Sequence, residues 1–350
     1  MVLRTFISFL CASLLFISKA SIAQEYVLKL ATLIPPDTSW TKVIHDWNKE
    51  LQTKSNGRLK IKLYAGGVMG DEPVVIRKMR THQLHGGIFT GYGIGRMYSP
   101  ARVLEMPFLF RNTDESDFVR DQLMPEFEKG FRDKGYELLG WPEVGFVHLF
   151  SKKPVQSIDD LKASRIWLWQ GDVLAEAFFK VANIAPIPLS IIDVYSQISA
   201  IRGSIDTIYA PPFGAIAMQW NTKVKYASNI PFTSGIGGLV VSRSFFDKLP
   251  PDLKILLKET GRETGQKIAD IARNDNEQSI QILKESGITF IWDWSGSEIK
   301  EFNELRDKAA AQLVKSGYFP ETVFNRTKEL INSYRKKVAR EITPPDSQSP

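Results

Sequence analysis

The sequence predicts an α/β protein built as two lobes around a central cleft. Three observations carry that prediction. Strand, helix and strand alternate three times within the first 90 residues, which argues for a parallel sheet with crossover helices. The same alternation restarts after Trp141. A helical stretch over 251–286, interrupted only by Gly261 and Gly265, is then too long for one compact lobe and so crosses between two.

In chain order, residues 26–33 alternate apolar and polar like a half-buried strand, and Pro35-Pro36-Asp37 turns the chain. Trp40, Val43, Ile44, Trp47 and Leu51 recur at helical spacing behind a Thr38 or Ser39 N-cap. Leu59, Ile61 and Leu63 alternate with lysines as the next strand, a helix starts near Asp71 with Pro73 in its first turn, and 86–90 is a strand. In the second series, 147–150 and 165–169 are strands and 173–181 is a helix. Ser190-Ile191-Ile192-Asp193 has the form of a capping box opening a helix that Gly203 stops. Strands at 205–209, 237–242 and 288–292 and helices from about Glu298 and Glu321 complete the set. The division this implies is 24–147 plus 232–275 for one lobe and 148–231 plus 276–340 for the other, with 341–350 a frayed tail.

Composition narrows the class. Of 350 residues 43% are hydrophobic and 24% charged, with one cysteine, which excludes a disordered chain, a disulfide scaffold and a polytopic membrane protein. The net charge of +6 is spread without an arginine-rich block and is a weak argument for nucleic acid, which is not expected as a partner. Residues 1–23 pair Arg4 with an apolar run over 6–17 and end on Ser21-Ile22-Ala23, the form of a cleaved signal peptide. Cys11 lies inside it, so the exported chain is expected to carry no thiol, which suits an oxidising periplasm.

Little in the sequence asks for catalysis. Gly91-Tyr92-Gly93-Ile94-Gly95 follows a strand but lacks the spacing of a dinucleotide loop and reads as a tight strand-to-helix turn. His82 and His85 have too few convergent partners for a metal, and no protease, hydrolase or P-loop pattern appears. No cofactor is expected. An exported enzyme using His148 or Asp172 as acid or base stands as an alternative. The aromatic residues say more. By period two, Arg165, Trp167 and Trp169 share one strand face; a second apolar set, Tyr209-Ala210 running to Phe213, stands where a strand gives way to a helix. Cleft ligands bind at such carboxyl ends.

The order of segments resembles the DctP-like solute-binding proteins of TRAP transporters over nearly the whole exported chain. The landmarks are Leu30-Ala31-Thr32 with Trp40, Met69-Gly70-Asp71-Glu72, Met106-Pro107-Phe108-Leu109-Phe110-Arg111, Lys153-Pro154-Val155 with Asp159-Asp160-Leu161-Lys162, and Phe246-Asp247-Lys248-Leu249-Pro250. The resemblance implies a receptor that closes around a solute and delivers it to a permease of small and large membrane subunits. Three departures matter. Trp167 stands where most members keep a carboxylate-binding arginine, Val147 where a second arginine is usual, and Asp206-Thr207-Ile208-Tyr209-Ala210 replaces a more polar segment. Similar replacements occur in the subgroup that works with a periplasmic tetratricopeptide-repeat protein.

The expected site is therefore aromatic and apolar, for a neutral or hydrophobic solute: Trp167, Trp169, Tyr209, Phe213, Val147 and Ala210 on one side, Trp40 and Tyr92 on the other. The alternative is an organic-acid receptor gripping its carboxylate with Arg165, with Arg96 or Arg202 as further inward-reaching cations.

Overall fold

A computed structural model describes residues 24–293 and 296–342. The signal-peptide expectation, Cys11 included, falls outside the described residues. So does most of the expected tail; its first residues, Glu341 and Ile342, instead end a helix.

The first series folds as expected. Strand β1 (Tyr26–Thr32), helix α1 (Ser39–Lys54) and strand β2 (Leu59–Tyr64) form a parallel crossover unit with Tyr26 opposite Leu59. Thr38 caps α1 in a reciprocal box with Thr41. Trp40, Ile44, Trp47 and Leu51 bury one face of α1 against the sheet and a long helix, where the Trp47 indole donates to Thr260 at 2.8 Å. Helix α2 (Glu72–Arg80), capped by Asp71, leads to strand β3 (Gly86–Thr90), which pairs parallel to β1. Helix α3 (Gly91–Met97) follows directly, so Gly91-Tyr92-Gly93 is a strand-to-helix turn as read. Its glycines are required by close approach: a Cβ on Gly91 would collide with the Glu105 carboxylate, and one on Gly93 with Glu72.

A 3-10 turn (Ser99–Glu105), helix α4 (Thr113–Asp133) and strand β4 (Tyr136–Gly140) come next. Strand β5 (Glu143–Ser151) then changes neighbours part-way along. Its first residues, to Val147, pair antiparallel with β10 (Thr233–Ser242); from His148 it pairs with β8 (Thr207–Ala210) and then β9 (Tyr226–Ser228). Strand β10 runs on past β3 and β4. Among the described residues these strands form one sheet of nine, ordered β11-β9-β5-β10-β3-β1-β2 with β4 and β8 attached, β11 being Thr289–Ile291.

The second half adds helix α5 (Ile158–Ala163), a parallel pair of strands β6 (Trp167–Trp169) and β7 (Ile187–Leu189), helix α6 (Val173–Val181), helix α7 (Ile191–Ser199) and helix α8 (Pro212–Ala217). After the single-turn helix α9 (Arg243–Phe246), the 35-residue α10 (Pro251–Glu285) packs on α1 and β4 near its start and reaches α8. Helices α11 (Gly296–Lys315) and α12 (Glu321–Ile342) complete the chain. No described helix is long and apolar enough to cross a membrane.

Two local expectations are corrected. Strand β6 begins at Trp167, not Arg165, because Asp206 captures both the backbone and the side chain of Arg165 beside it. Ser190 precedes α7 but its hydroxyl does not cap it. That hydroxyl donates instead to Asp71, 119 residues away.

Candidate functional site

The carboxyl ends of β1, β3, β6 and β8 converge on a cavity of about 230 Å³. An apolar cavity of about 150 Å³ takes benzene, so this one suits a solute on the order of ten heavy atoms. Eight of the nine residues singled out from the sequence line it: Trp40, Tyr92, Val147, Trp167, Trp169, Tyr209, Ala210 and Phe213. Their rings form two walls. Trp167 stacks on Tyr209 with centroids 4.9 Å apart and lies 5.8 Å from Trp169. Trp40 stacks on Phe213 at 5.1 Å, and Tyr92 tilts against Trp169 at 4.7 Å. The polar atoms of Trp167 and Tyr209 are engaged in hydrogen bonds within the protein. Trp167 Nε1 donates to the Leu189 carbonyl at 3.0 Å, and the Tyr209 oxygen accepts from the Trp169 backbone N–H at 3.2 Å. What remains facing the solute is ring surface.

The ninth residue, Arg165, is absent from the lining. Its guanidinium pairs with Asp206 at 3.1 Å and donates to the Gly203 carbonyl at 2.7 Å on an exposed edge. Arg96 and Arg202 are exposed too, and neither lines the cavity. The arginine that does is Arg102, which local sequence patterns do not single out. It is 4% exposed, with Nη2 donating to Asp172 at 3.0 Å and Nε 2.5 Å from a Glu105 oxygen. Burial alone would lower its pKa, but Asp172 and Glu105 outweigh that and hold the charge firmly in place. The Nε contact to Glu105 is an ion pair without hydrogen-bond geometry, and the buried Nη1 has no hydrogen-bond acceptor. A signal was present in the sequence: Arg102 and Glu105 stand three apart inside the apolar run Ala101, Val103, Leu104 and Met106.

The other charged lining residues are all acids: Glu72, Glu105, Glu143 and Asp172. Burial pushes Glu72 up to about 8, although the Thr90 N–H and hydroxyl donate to it at 2.7 and 3.0 Å. Glu105 is raised by the same cause despite Arg102, and Glu143, raised by burial, is paired with Arg273 behind the wall. At neutral pH the cavity thus presents protonated or paired carboxyls and one cation already matched.

The walls meet across a seam that is shut. Trp169 Nε1 donates to Asp71 Oδ2 at 3.0 Å, and the Ser190 hydroxyl donates to the same oxygen. The Tyr92 hydroxyl donates to the Gln170 carbonyl at 2.7 Å, and Arg102–Asp172 makes a further tie. Asp71 also caps α2 through its other oxygen, which accepts the Glu72 N–H at 2.7 Å.

The residues considered for catalysis are occupied. His148 is buried and lies outside the cavity lining, with Nδ1 donating to the Ser228 carbonyl at 2.8 Å; burial lowers its pKa. Asp172 holds Arg102 and caps α6.

Against known families, residues 30–316 match the model of bacterial extracellular solute-binding protein family 7, DctP. The chain belongs to this family. It is 24% identical over 269 residues to the 2,3-diketo-L-gulonate-binding periplasmic protein YiaO of Escherichia coli, covering 75% of this chain and 80% of that protein. It is 21% identical over 300 residues to the C4-dicarboxylate-binding periplasmic protein DctP of Rhodobacter capsulatus, covering 83% and 87%. Among solved structures, a TRAP periplasmic solute-binding protein of Pseudomonas putida with bound D-glucuronate superposes with a TM-score of 0.76 at 23% identity, covering 86% of this chain and 96% of that one. One from Bordetella, whose ligand density is assigned to pantoate, gives 0.78 at 21% identity, covering 87% and 99%. The chain is a two-lobed, DctP-like TRAP solute-binding protein, a receptor and not an enzyme.

Proposed function

We propose that this receptor works in the periplasm, captures a small, uncharged and largely apolar solute in the aromatic cavity, and presents it with its lobes closed to the small and large membrane subunits of a TRAP permease. One observation carries the choice of solute. The cavity wall is ring and aliphatic surface, and the one cation among its described lining residues, Arg102, is already neutralised by Asp172 and Glu105. Bringing a carboxylate in would add a negative charge to a buried site holding four carboxyls, and an unmatched buried charge is costly. Trp167, Trp169, Tyr209, Phe213, Val147, Ala210, Trp40 and Tyr92 would make the contacts. The lobes would divide where β5 changes partners after Val147, with the hinge at 146–150 and 230–232. None of the relatives named above points to a tetratricopeptide-repeat partner.

A second reading, an organic-acid receptor, is favoured by those relatives, whose names and bound ligands are acids. In this chain it would run through Arg102, not Arg165, and would require a ligand carboxylate to displace Asp172. Calorimetric titration of the ligand-stripped protein with D-glucuronate, pantoate and a series of neutral aromatic and alicyclic compounds of about ten heavy atoms separates the two. Micromolar binding confined to the neutral series supports the apolar reading. Micromolar binding of an acid, abolished in an Arg102→Met/Asp172→Asn variant that still folds, overturns it.

A further inference from the structure

A second depression lies on the β1–β4 half, outside the seam, with a volume of about 780 Å³. Its described lining carries Arg80, His82, Arg96, Lys134 and Arg243, and no aspartate or glutamate. Arg243 is spoken for by Asp247 at 3.0 Å and Glu137 at 3.7 Å. His82 Nδ1 is hydrogen-bonded to the Ser244 hydroxyl at 3.1 Å, whereas Arg80, Arg96 and Lys134 are not spoken for. Arg80 and Lys134 are exposed, and neither they nor Arg96 has a carboxylate partner among the described residues. Arg80 only touches the Tyr136 hydroxyl, at 3.4 Å, and Arg96 that of Tyr92, at 3.3 Å. Glu126 and Asp133 act on Tyr98 from the α4 side; Asp133 is paired with Lys129 and also feels the charge of Lys134, without an ion pair to it. Three cations without an ion-pair partner thus ring one hollow whose described lining carries no acid, and this local excess of positive charge is what the hollow offers a ligand.

The hollow also abuts the solute site. Arg96 lies over the Tyr92 ring, 5.2 Å from its centroid, and Tyr92 both lines the cavity and ties the seam through Gln170. Tyr318, another lining residue of the hollow, is placed against Arg102 and is raised to about 12 by burial.

We propose that this groove is a docking surface for an acidic peptide segment of a protein partner, with Arg80, Arg96 and Lys134 as its contacts. Charge complementarity names the chemistry, and the size of the hollow suits several side chains, where a single anion would need a small, closed cradle. The position beside Tyr92 puts the docked segment within one side chain of the seam.

The test uses the whole exported protein and a fluorescent dodecapeptide with six glutamates, its glutamine counterpart, inorganic phosphate, and vesicles containing phosphatidylglycerol. Fluorescence anisotropy at low salt should show the glutamate peptide binding at least tenfold more tightly than the glutamine peptide. An Arg80→Ser/Arg96→Gln/Lys134→Ser variant should lose at least tenfold, while a Lys42→Ser/Lys300→Ser/Lys308→Ser variant, carrying the same charge change elsewhere, should lose less than threefold. Equal losses in both variants, binding of phosphate or vesicles in place of the peptide, or no preference for glutamate would each overturn the proposal. Circular dichroism melting of both variants confirms that they fold.

Discussion

Replacing Asp71 with asparagine isolates the energetics of closure. Asp71 is 8% exposed, and one of its oxygens receives both Trp169 Nε1 and the Ser190 hydroxyl across the seam. Asparagine keeps the size and is as good an N-cap for α2 as aspartate, so the helix start is preserved. What is lost is the charge on the acceptor of two hydrogen bonds that cross the seam, which the proposed closure would make and break. Bonds to a charged acceptor contribute about 1.5–3 kcal/mol each against about 0.5–1.5 for neutral ones. With the amide oxygen kept at the cap, the amide nitrogen faces the seam: the Ser190 hydroxyl can turn to accept from it, but Trp169 Nε1 loses its acceptor, so the closed state should lose about 1.5–3 kcal/mol. Apparent affinity scales with the population of the closed state, so solute binding should weaken about 10- to 150-fold. The assay is calorimetric titration with the solute recovered from the native protein, paired with small-angle scattering of the loaded form. Asp71→Asn should melt within a few degrees of the parent yet show a more open envelope. Affinity within twofold of the parent, with an unchanged scattering profile, refutes the assignment of these bonds to closure.

Three further outcomes follow from the same geometry. Trp167→Ala removes a side chain 1% exposed that is stacked on Tyr209, so it should cost about 3–5 kcal/mol of stability by denaturant unfolding, whereas Trp167→Phe should keep most of the stability and lose solute affinity. Arg102→Met strands Asp172 and Glu105 without their cation and should cost about 3–5 kcal/mol; adding Asp172→Asn should restore part of that, measured as a double-mutant cycle. Glu72 has a folded pKa near 8, above its unfolded value, so the folded state binds the extra proton. Its contribution is therefore most favourable below the unfolded pKa and is lost as pH rises toward 8. Thermal melts between pH 5 and 8.5 should decline less steeply for Glu72→Gln than for the parent, and parallel curves would count against the buried, protonated carboxyl.

Much of this was legible in the sequence wherever the information is local. The period-two and helical patterns place β1, α1, β2, α2 and β3 correctly, and α6 over the residues read for it. Helix α4 is not among the elements those patterns yield, although Asn112 accepts the Glu115 N–H at 2.9 Å and Val119, Leu123, Phe127 and Phe131 recur every four residues; Pro125 inside it obscures the pattern. Period two puts Trp167 and Trp169 on one face and both line the cavity, but it extends the strand to Arg165, where Asp206 holds the chain instead. Ser190 shows the limit of local reading. Ser190-Ile191-Ile192-Asp193 has every sign of a cap, yet an acceptor 119 residues earlier takes the hydroxyl, and no spacing rule reports such a contact. Arg102 is harder to read for a different reason: its one local sign is Glu105 three residues on inside an apolar run, while the second partner, Asp172, lies 70 residues away.

The claim that the cavity takes an uncharged, apolar solute is tested most directly by mass spectrometry of what the protein carries when purified without denaturation. A shut seam around ring surface should retain its ligand, and the account predicts a neutral compound of about ten heavy atoms with few polar groups. Recovery of a sugar acid, keto acid or dicarboxylate at one equivalent per chain would contradict it.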